Sequence, residues 1–525
     1  MYRYGIVILA SIALAGSPVL ARDDKPKPKL PIGKDTTVVD GPLDKEGYID
    51  YEAALNERLG KGISPETNAN VLIWKALGPR PEGQGMPKEY FRLLGIEEPP
   101  AKGDYMLSMG RYIQDYLHQE ASDDSPFYEQ QSKACHQPWA SSELPQFHAW
   151  LVLNEKPLAV VVEASKRTGY FNPLTPDRND RGRESLLAAN LPCLGRCREI
   201  VAALSARALL KTHEGQYDAA WQDLLAAHRL ARLIGRGGTL IEALVCMASD
   251  QNVGLADLAY LERANLTAQQ IRDRLADLRK LPPLPAVADK VDLGERFVFL
   301  DNLQLVRRFG LGALNSISGG KMPKKPDAEE EKALAAIDWE PALRESNKWY
   351  DRMVSDLRAP TRSERTRRHD SLRNDLIKLK NDVQKSGLAG FFSQPSGKPN
   401  KVVGKAIGEV MISLMMPAAG KVSEAADRTE QAQRNRHLAF ALQAFKKDTG
   451  KFPAKLDELA PKYLPSVPDD LFSGKPLIYK PDEKGYLLYS VGTNGKDDGG
   501  RWYDDDPPGD DPRVRMPLPE WKPKK

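Results

Sequence analysis

Apolar residues recur at spacings of three and four through most of the stretch 48–314, broken by the Pro- and Gly-rich runs GPRPEGQGMP and EEPPAKGD. That period predicts an all-α region. Its clearest part is EIVAALSARALLKTHEGQYDAAWQDLLAAHRLARLI, where Leu204 and Ala208 precede Gly215, Tyr217, Ala220, Leu224 and Ala227. Small residues at these positions let two helices approach closely, so the segment is predicted to form a helical hairpin. From 319 to 400 the chain turns into a charged helical connector framed by GGKMPKKPDAEEEK and SQPSGKPN. An apolar run, IGEVMISLMMP, then leads into a predicted helix that ends near Asp448, with Leu438, Leu442 and Phe445 on one face. Lys446 and Lys447 suit the C-terminal end of the helix dipole, and Gly450 and Pro453 stop it. KLDEL predicts one short helical turn. PLIYK and GYLLYSV, separated by PDEKG, predict a β-hairpin packed through Tyr479, Tyr486 and Tyr489.

The expected fold class is therefore mainly α. An all-α body, either a helical bundle or repeat-like hairpins, covers 48–318; the connector covers 319–400; a small α+β domain covers 401–515; and a tail covers 516–525. At 525 residues the chain exceeds what one ordinary core organises, and 40 Pro with 40 Gly point to many breaks. Its 76 basic and 72 acidic residues leave a net charge of +4, which gives no global pull toward nucleic acid. Arg358, Arg362, Arg365, Arg367, Arg368 and Arg373 cluster in the connector, but Asp356, Glu364, Asp370 and Asp375 are interleaved with them. A solvated helix face explains the pattern.

The first residues combine Arg3, an apolar run over 6–15, and small residues with Val19 and Ala21 where a signal peptidase prefers them. A cleaved signal peptide over 1–21 is expected, the alternative being an uncleaved signal that anchors the chain. Export to the periplasm or beyond the cell follows, with no transmembrane span after cleavage. A flexible lead-in is expected over 22–47, which is rich in Pro, Lys and Asp.

Four cysteines, Cys135, Cys193, Cys197 and Cys246, are disulfide candidates in an exported chain, and their pairing is open. Cys193 and Cys197 would also share a helix face, although a zinc knuckle normally brings a second pair. The seven histidines show no HExxH spacing, and no GxSxG elbow is present. GLGALNSISGGKM lacks the first glycine and the hydroxyl residue of a phosphate-binding loop, with Asn315 and Met322 in those places. Cys135 beside His136 is read as a structural cysteine, since adjacent side chains rarely face each other. The concentrated chemistry lies near the end. Asp497, Asp498, Asp504, Asp505, Asp506, Asp510 and Asp511 gather with Asn494, Gly495, Gly499 and Gly500. Crowded carboxylates repel, and Ca²⁺ relieves that repulsion by taking oxygen ligands from a loop that glycines allow to wrap.

The order of elements in this last part resembles the soluble domain of the major pseudopilins of type II secretion. Pro417 after the apolar run, then Lys446, Lys447, Asp448, Gly450, Phe452 and Pro453, then FSGKPLIY and YSVGTNGK carry the resemblance over about 407–511. The segment is internal and Glu409 interrupts its apolar run, so the membrane helix of that family has no counterpart here. The resemblance implies a long helix leading to a small sheet with a calcium loop. Loop chemistry and resemblance together make Asn494, Asp497, Asp498 and Asp504 the expected Ca²⁺ donors. The 199–234 hairpin separately resembles a single tetratricopeptide unit.

The expected function is that of an exported, non-enzymatic structural or protein-interaction protein with a protein partner in the cell envelope and no nucleic-acid partner. The alternative is an exported hydrolase whose site is assembled from distant residues of the helical body.

Overall fold

A computed structural model describes residues 27–122, 125–179, 182–314, 323–386, 400–416 and 419–522. The expected signal peptide, the first four residues of the linker run that opens the connector, most of the run that closes it, and Pro417 lie outside the described residues. The chain is mainly α-helical.

Seven short helices come first: α1 (Tyr51–Gly60), α2 (Ala69–Leu77), α3 (Lys88–Leu94), α4 (Met109–Asp115), α5 (Pro126–His136), α6 (Pro145–Leu153) and α7 (Glu155–Ala164). A two-residue ribbon of β1 (Arg178–Asn179) and β2 (Gly182–Arg183) follows. Four longer helices form the centre: α8 (Leu194–His213), α9 (Tyr217–Ile234), α10 (Leu240–Arg263) and α11 (Ala268–Arg279). The α8–α9 hairpin forms where the small-residue spacing predicts it. Gly215, at a φ of +76°, makes the tight connection, and Asp223 of α9 accepts from Arg207 and Lys211 of α8. Capping boxes start α10 at Thr239 with Glu242 and α11 at Thr267 with Gln270.

Next, α12 (Val287–Lys290) continues through a π-helical turn into α13 (Arg296–Phe309). Then come α14 (Ala328–Ala336), α15 (Glu340–Leu357), α16 (Arg362–Ser386), α17 (Asn400–Met415) and α18 (Ala419–Thr449). Part of the connector's charge is paired at the surface, Arg368 with Glu364 and Arg352 with Asp375, but Arg362 and Arg365 depart from the expected solvated face and turn inward onto the buried Asp427 of α18. After α18, a 3₁₀ turn at Leu456–Leu459 precedes an antiparallel sheet of β3 (Ile478–Pro481), β4 (Tyr486–Tyr489) and β5 (Arg513–Met516), in that order. β3 and β4 are the expected hairpin.

Two apolar cores hold these elements. One gathers α2 to α11 together with Leu438–Ala444 of α18 and Tyr486, Leu488, Val514 and Met516 of the sheet. The other gathers α1, α12, α13, α15 and α17 with the first turns of α10, through Leu240, Ala243 and Met247, and of α18, through Ala419 and Val422. Both α10 and α18 therefore enter both cores. The boundary drawn near 400 has no counterpart in the packing, because the apolar face of α18 is covered by α10 and α11.

The stretch over 22–47 also differs from the expected flexible lead-in, as far as it is described. Leu30, Thr37 and Val39 are buried, the Tyr51 hydroxyl donates to the Thr37 carbonyl at 3.0 Å, and Asn347 Nδ2 donates to the Thr36 carbonyl at 2.6 Å. A few apolar side chains with satisfied backbone groups outweigh a solvated composition. α17 and α18 together are long and apolar enough to cross a membrane, yet Ile407, Met411 and Ile412 are buried inside the second core.

Candidate cation site

β4 and β5 lie side by side, with Tyr489 opposite Arg513, so both ends of the acidic loop between them are pinned at neighbouring positions. Ser490 N donates to the Pro512 carbonyl at 3.1 Å and closes its base. A loop held this way must fold back on itself. Gly492, at a φ of +65°, is where it does so: a Cβ there would lie 2.3 Å from the Asp510 carbonyl oxygen. The strand pairing that fixes Arg513 also draws Asp510 and Asp511 inward. Asp510 is 9 % exposed and Asp511 is fully buried.

Each of these two carboxylates has one satisfied oxygen. Asp510 Oδ2 accepts from Asn494 N at 3.0 Å, and Asp511 Oδ2 accepts from Gly500 N at 2.8 Å. Both Oδ1 atoms are buried without a hydrogen-bond partner. Asp498, half-buried, joins them, and the three residues offer oxygens within 4.8 Å of one another. Burial, followed by the charges of Asp498 and Asp497, pushes the Asp511 carboxyl up to about 6. The side-chain amide of Asn494 donates to Asp498 Oδ2 at 2.9 Å and holds that carboxyl below the usual carboxylate range. Three carboxylates around two orphaned oxygens fit a hard divalent cation, which takes about six to eight oxygen ligands.

Of the four donors expected from sequence, Asp498 stands in this cluster. Asn494 adjoins it, but its side-chain oxygen accepts from Lys496 N at 2.6 Å while its amide faces Asp498. Asp497 is exposed and takes hydrogen bonds from the Tyr489 hydroxyl at 3.0 Å and Gly499 N at 2.8 Å. Asp504 is exposed. The cluster's other two members, Asp510 and Asp511, were not among the expected donors. Their sequence signal is position: they immediately precede the strand Arg513–Met516, whose pairing buries them.

All four cysteines are free thiols. Burial pushes Cys135, Cys197 and Cys246 each up to about 12, far from the thiolate a metal or nucleophile needs. Cys193 is the N-cap of α8 in a left-handed conformation, and burial and then neighbouring Cys197 raise its thiol as well. In the helical body, an open groove of about 1060 Å³ runs beside α1 and is lined by Asp40, Asp50, Glu57 and Lys61 among others. Two of its carboxylates are tied into ion pairs, Glu52 with Arg178 and Glu89 with Arg92.

Compared with known protein families, curated proteins and solved structures, the chain matches none.

Proposed function

We propose that this chain is an exported, non-enzymatic structural or protein-interaction protein whose C-terminal part binds Ca²⁺. The observation that carries the reading is the pair of buried, partnerless Oδ1 atoms of Asp510 and Asp511 beside Asp498. Asp498, Asp510 and Asp511 would hold the ion. Ca²⁺ would add positive charge beside the buried Oδ1 atoms, where Arg501 already pairs with Asp498, and stiffen the loop between β4 and β5. Similarity to the soluble domain of type II secretion pseudopilins supports the same assignment through the order of helix, hairpin and acidic loop. Export rests on the signal-like first residues, and a protein partner in the cell envelope follows from export and from the absence of any catalytic motif in the sequence.

Calorimetric titration of the full chain with CaCl₂ tests the site. Heat of binding with a rise in melting temperature is expected, and both should vanish in Asp511→Asn. Neither heat nor a melting shift at millimolar Ca²⁺ would end the reading. Capture of envelope proteins with and without chelator tests the role, which fails if calcium removal changes no partner.

A further inference from the structure

Away from the acidic loop, five ionisable side chains are enclosed where α9, α10 and α18 meet. His228, Arg232, Asp250, Asp257 and Arg436 are each no more than 4 % exposed. His228 bridges the two acids: Nδ1 lies 2.9 Å from Asp250 Oδ1, and Nε2 lies 2.8 Å from Asp257 Oδ2. A carboxylate only accepts, and a neutral imidazole has a single N–H. Both contacts are hydrogen bonds only if the group holds one proton more than a neutral ring with two carboxylates.

The surrounding cations decide where that proton sits. Arg232 Nε donates to Asp250 Oδ1 at 2.9 Å, Arg436 Nη2 donates to Asp250 Oδ2 at 3.4 Å, and Arg436 Nε lies 3.4 Å from Asp257 Oδ2. Against its burial, His228, Arg436 and Arg232 hold Asp250 well below the usual carboxylate range, and the cations set beside the two acids leave the proton on the ring. Burial opposes a charged ring, but Asp257 and Asp250 outweigh it, and the His228 pKa is raised above the ordinary histidine value. The other titratable groups around the junction do not compete. His437 of α18 is pushed down to about 3 by burial and by Arg436 and Arg279, so it is neutral, and Cys246 of α10 is pushed up to about 12.

Arg436 is the contribution of α18. It passes over Gly254 of α10, where a Cβ would lie 2.4 Å from Nη1, so α10 is shaped to admit it. Arg232 reaches back from α9 to Gln433 Oε1 of α18 at 3.2 Å. We propose that the imidazolium of His228 is part of the joint that docks α18 on the helical body, and that loss of its proton at higher pH loosens that helix. With a neutral ring, one nitrogen presents a lone pair to a fully buried carboxylate, and Asp257 Oδ1 already lacks a partner. A raised folded pKa gives stability that is complete below the ordinary histidine value and is lost as pH rises through the folded value.

Hydrogen–deuterium exchange of the full chain between pH 6 and 9, corrected for intrinsic rates, reads the joint directly. Protection of the 419–449 peptides is expected to fall by about tenfold for each pH unit separating the ordinary and native His228 values. Asp257→Asn places an amide donor against Nε2, so a neutral ring is satisfied on both sides. That variant should keep α18 protected at pH 9 and lose the pH dependence. His228→Gln should lower protection at pH 6 to the alkaline wild-type level. Flat wild-type protection across the range overturns the proposal, as does an ¹⁵N-histidine spectrum showing the His228 ring neutral at pH 6. The amide variant and the spectrum decide even if His228→Gln fails to fold.

Discussion

Asp511 shows how much one position within a loop decides. Asp504, a few residues earlier, is exposed, whereas Asp511 is fully buried and shifted up to about 6. Because the folded pKa is raised, ionisation of Asp511 costs stability as pH rises through about 6, and a bound cation offsets that cost. Ca²⁺ affinity measured by calorimetry should therefore weaken below pH 6, approaching tenfold per unit, with proton release on binding near that pH. Asp511→Asn should raise the cation-free melting temperature at pH 7.5 while abolishing the response to Ca²⁺. An unchanged response would place the ion elsewhere. The acidic loop was legible in the sequence as a place, since crowded carboxylates and glycines announce it. Which of its carboxylates converge was not, because burial of Asp510 and Asp511 follows from the register of β4 with β5, a pairing between segments more than twenty residues apart. His228, Asp250 and Asp257 were less visible still. They lie on two helices with no motif spacing, and only helix packing makes them one group.

Among the elements, α15 and α17 depend on glycine for their contact. A Cβ at Gly404 would lie 1.8 Å from the Asp338 carbonyl oxygen just before α15, and one at Gly408 would lie 2.9 Å from Ala342 Cα. Both obstacles are backbone and cannot swing aside. Gly404→Ala is expected to destabilise the chain by more than about 2 kcal/mol, an overpacking cost read as a lower urea midpoint. An unchanged midpoint would show that the two helices slide apart freely. α18 is the second such element. Its Asn435 Nδ2 donates to the Pro512 carbonyl at 2.8 Å, its Gln431 Oε1 accepts from Leu471 N at 2.8 Å, and Arg436 enters the buried ion group. One helix thus carries both the sheet with its acidic loop and the joint with the body. The period of three and four identified α18 as a helix, but it could not say that α10 and α11 would cover its apolar side.

Across the whole molecule, α10 and α18 tie the two cores together. Neither core can open fully without exposing residues of a helix that serves the other. Scanning calorimetry should accordingly show the sheet and the helical body melting in one main transition, while two well-separated transitions would mean that each core stands alone. What the sequence determined by itself was what depends on near neighbours along the chain: the mainly helical class, the α8–α9 hairpin, the β3–β4 hairpin and the location of the acidic loop. Periodicity, capping residues and turn glycines act over a few residues, so they are written in order. Tertiary structure alone decided which carboxylates converge, that residues 27–47 pack on the body, and that a histidine is held between two acids under an arginine from the C-terminal helix. Those outcomes rest on desolvation and on contacts between segments far apart in sequence, such as Asp250 with Arg436 and Thr36 with Asn347, and no local pattern records them.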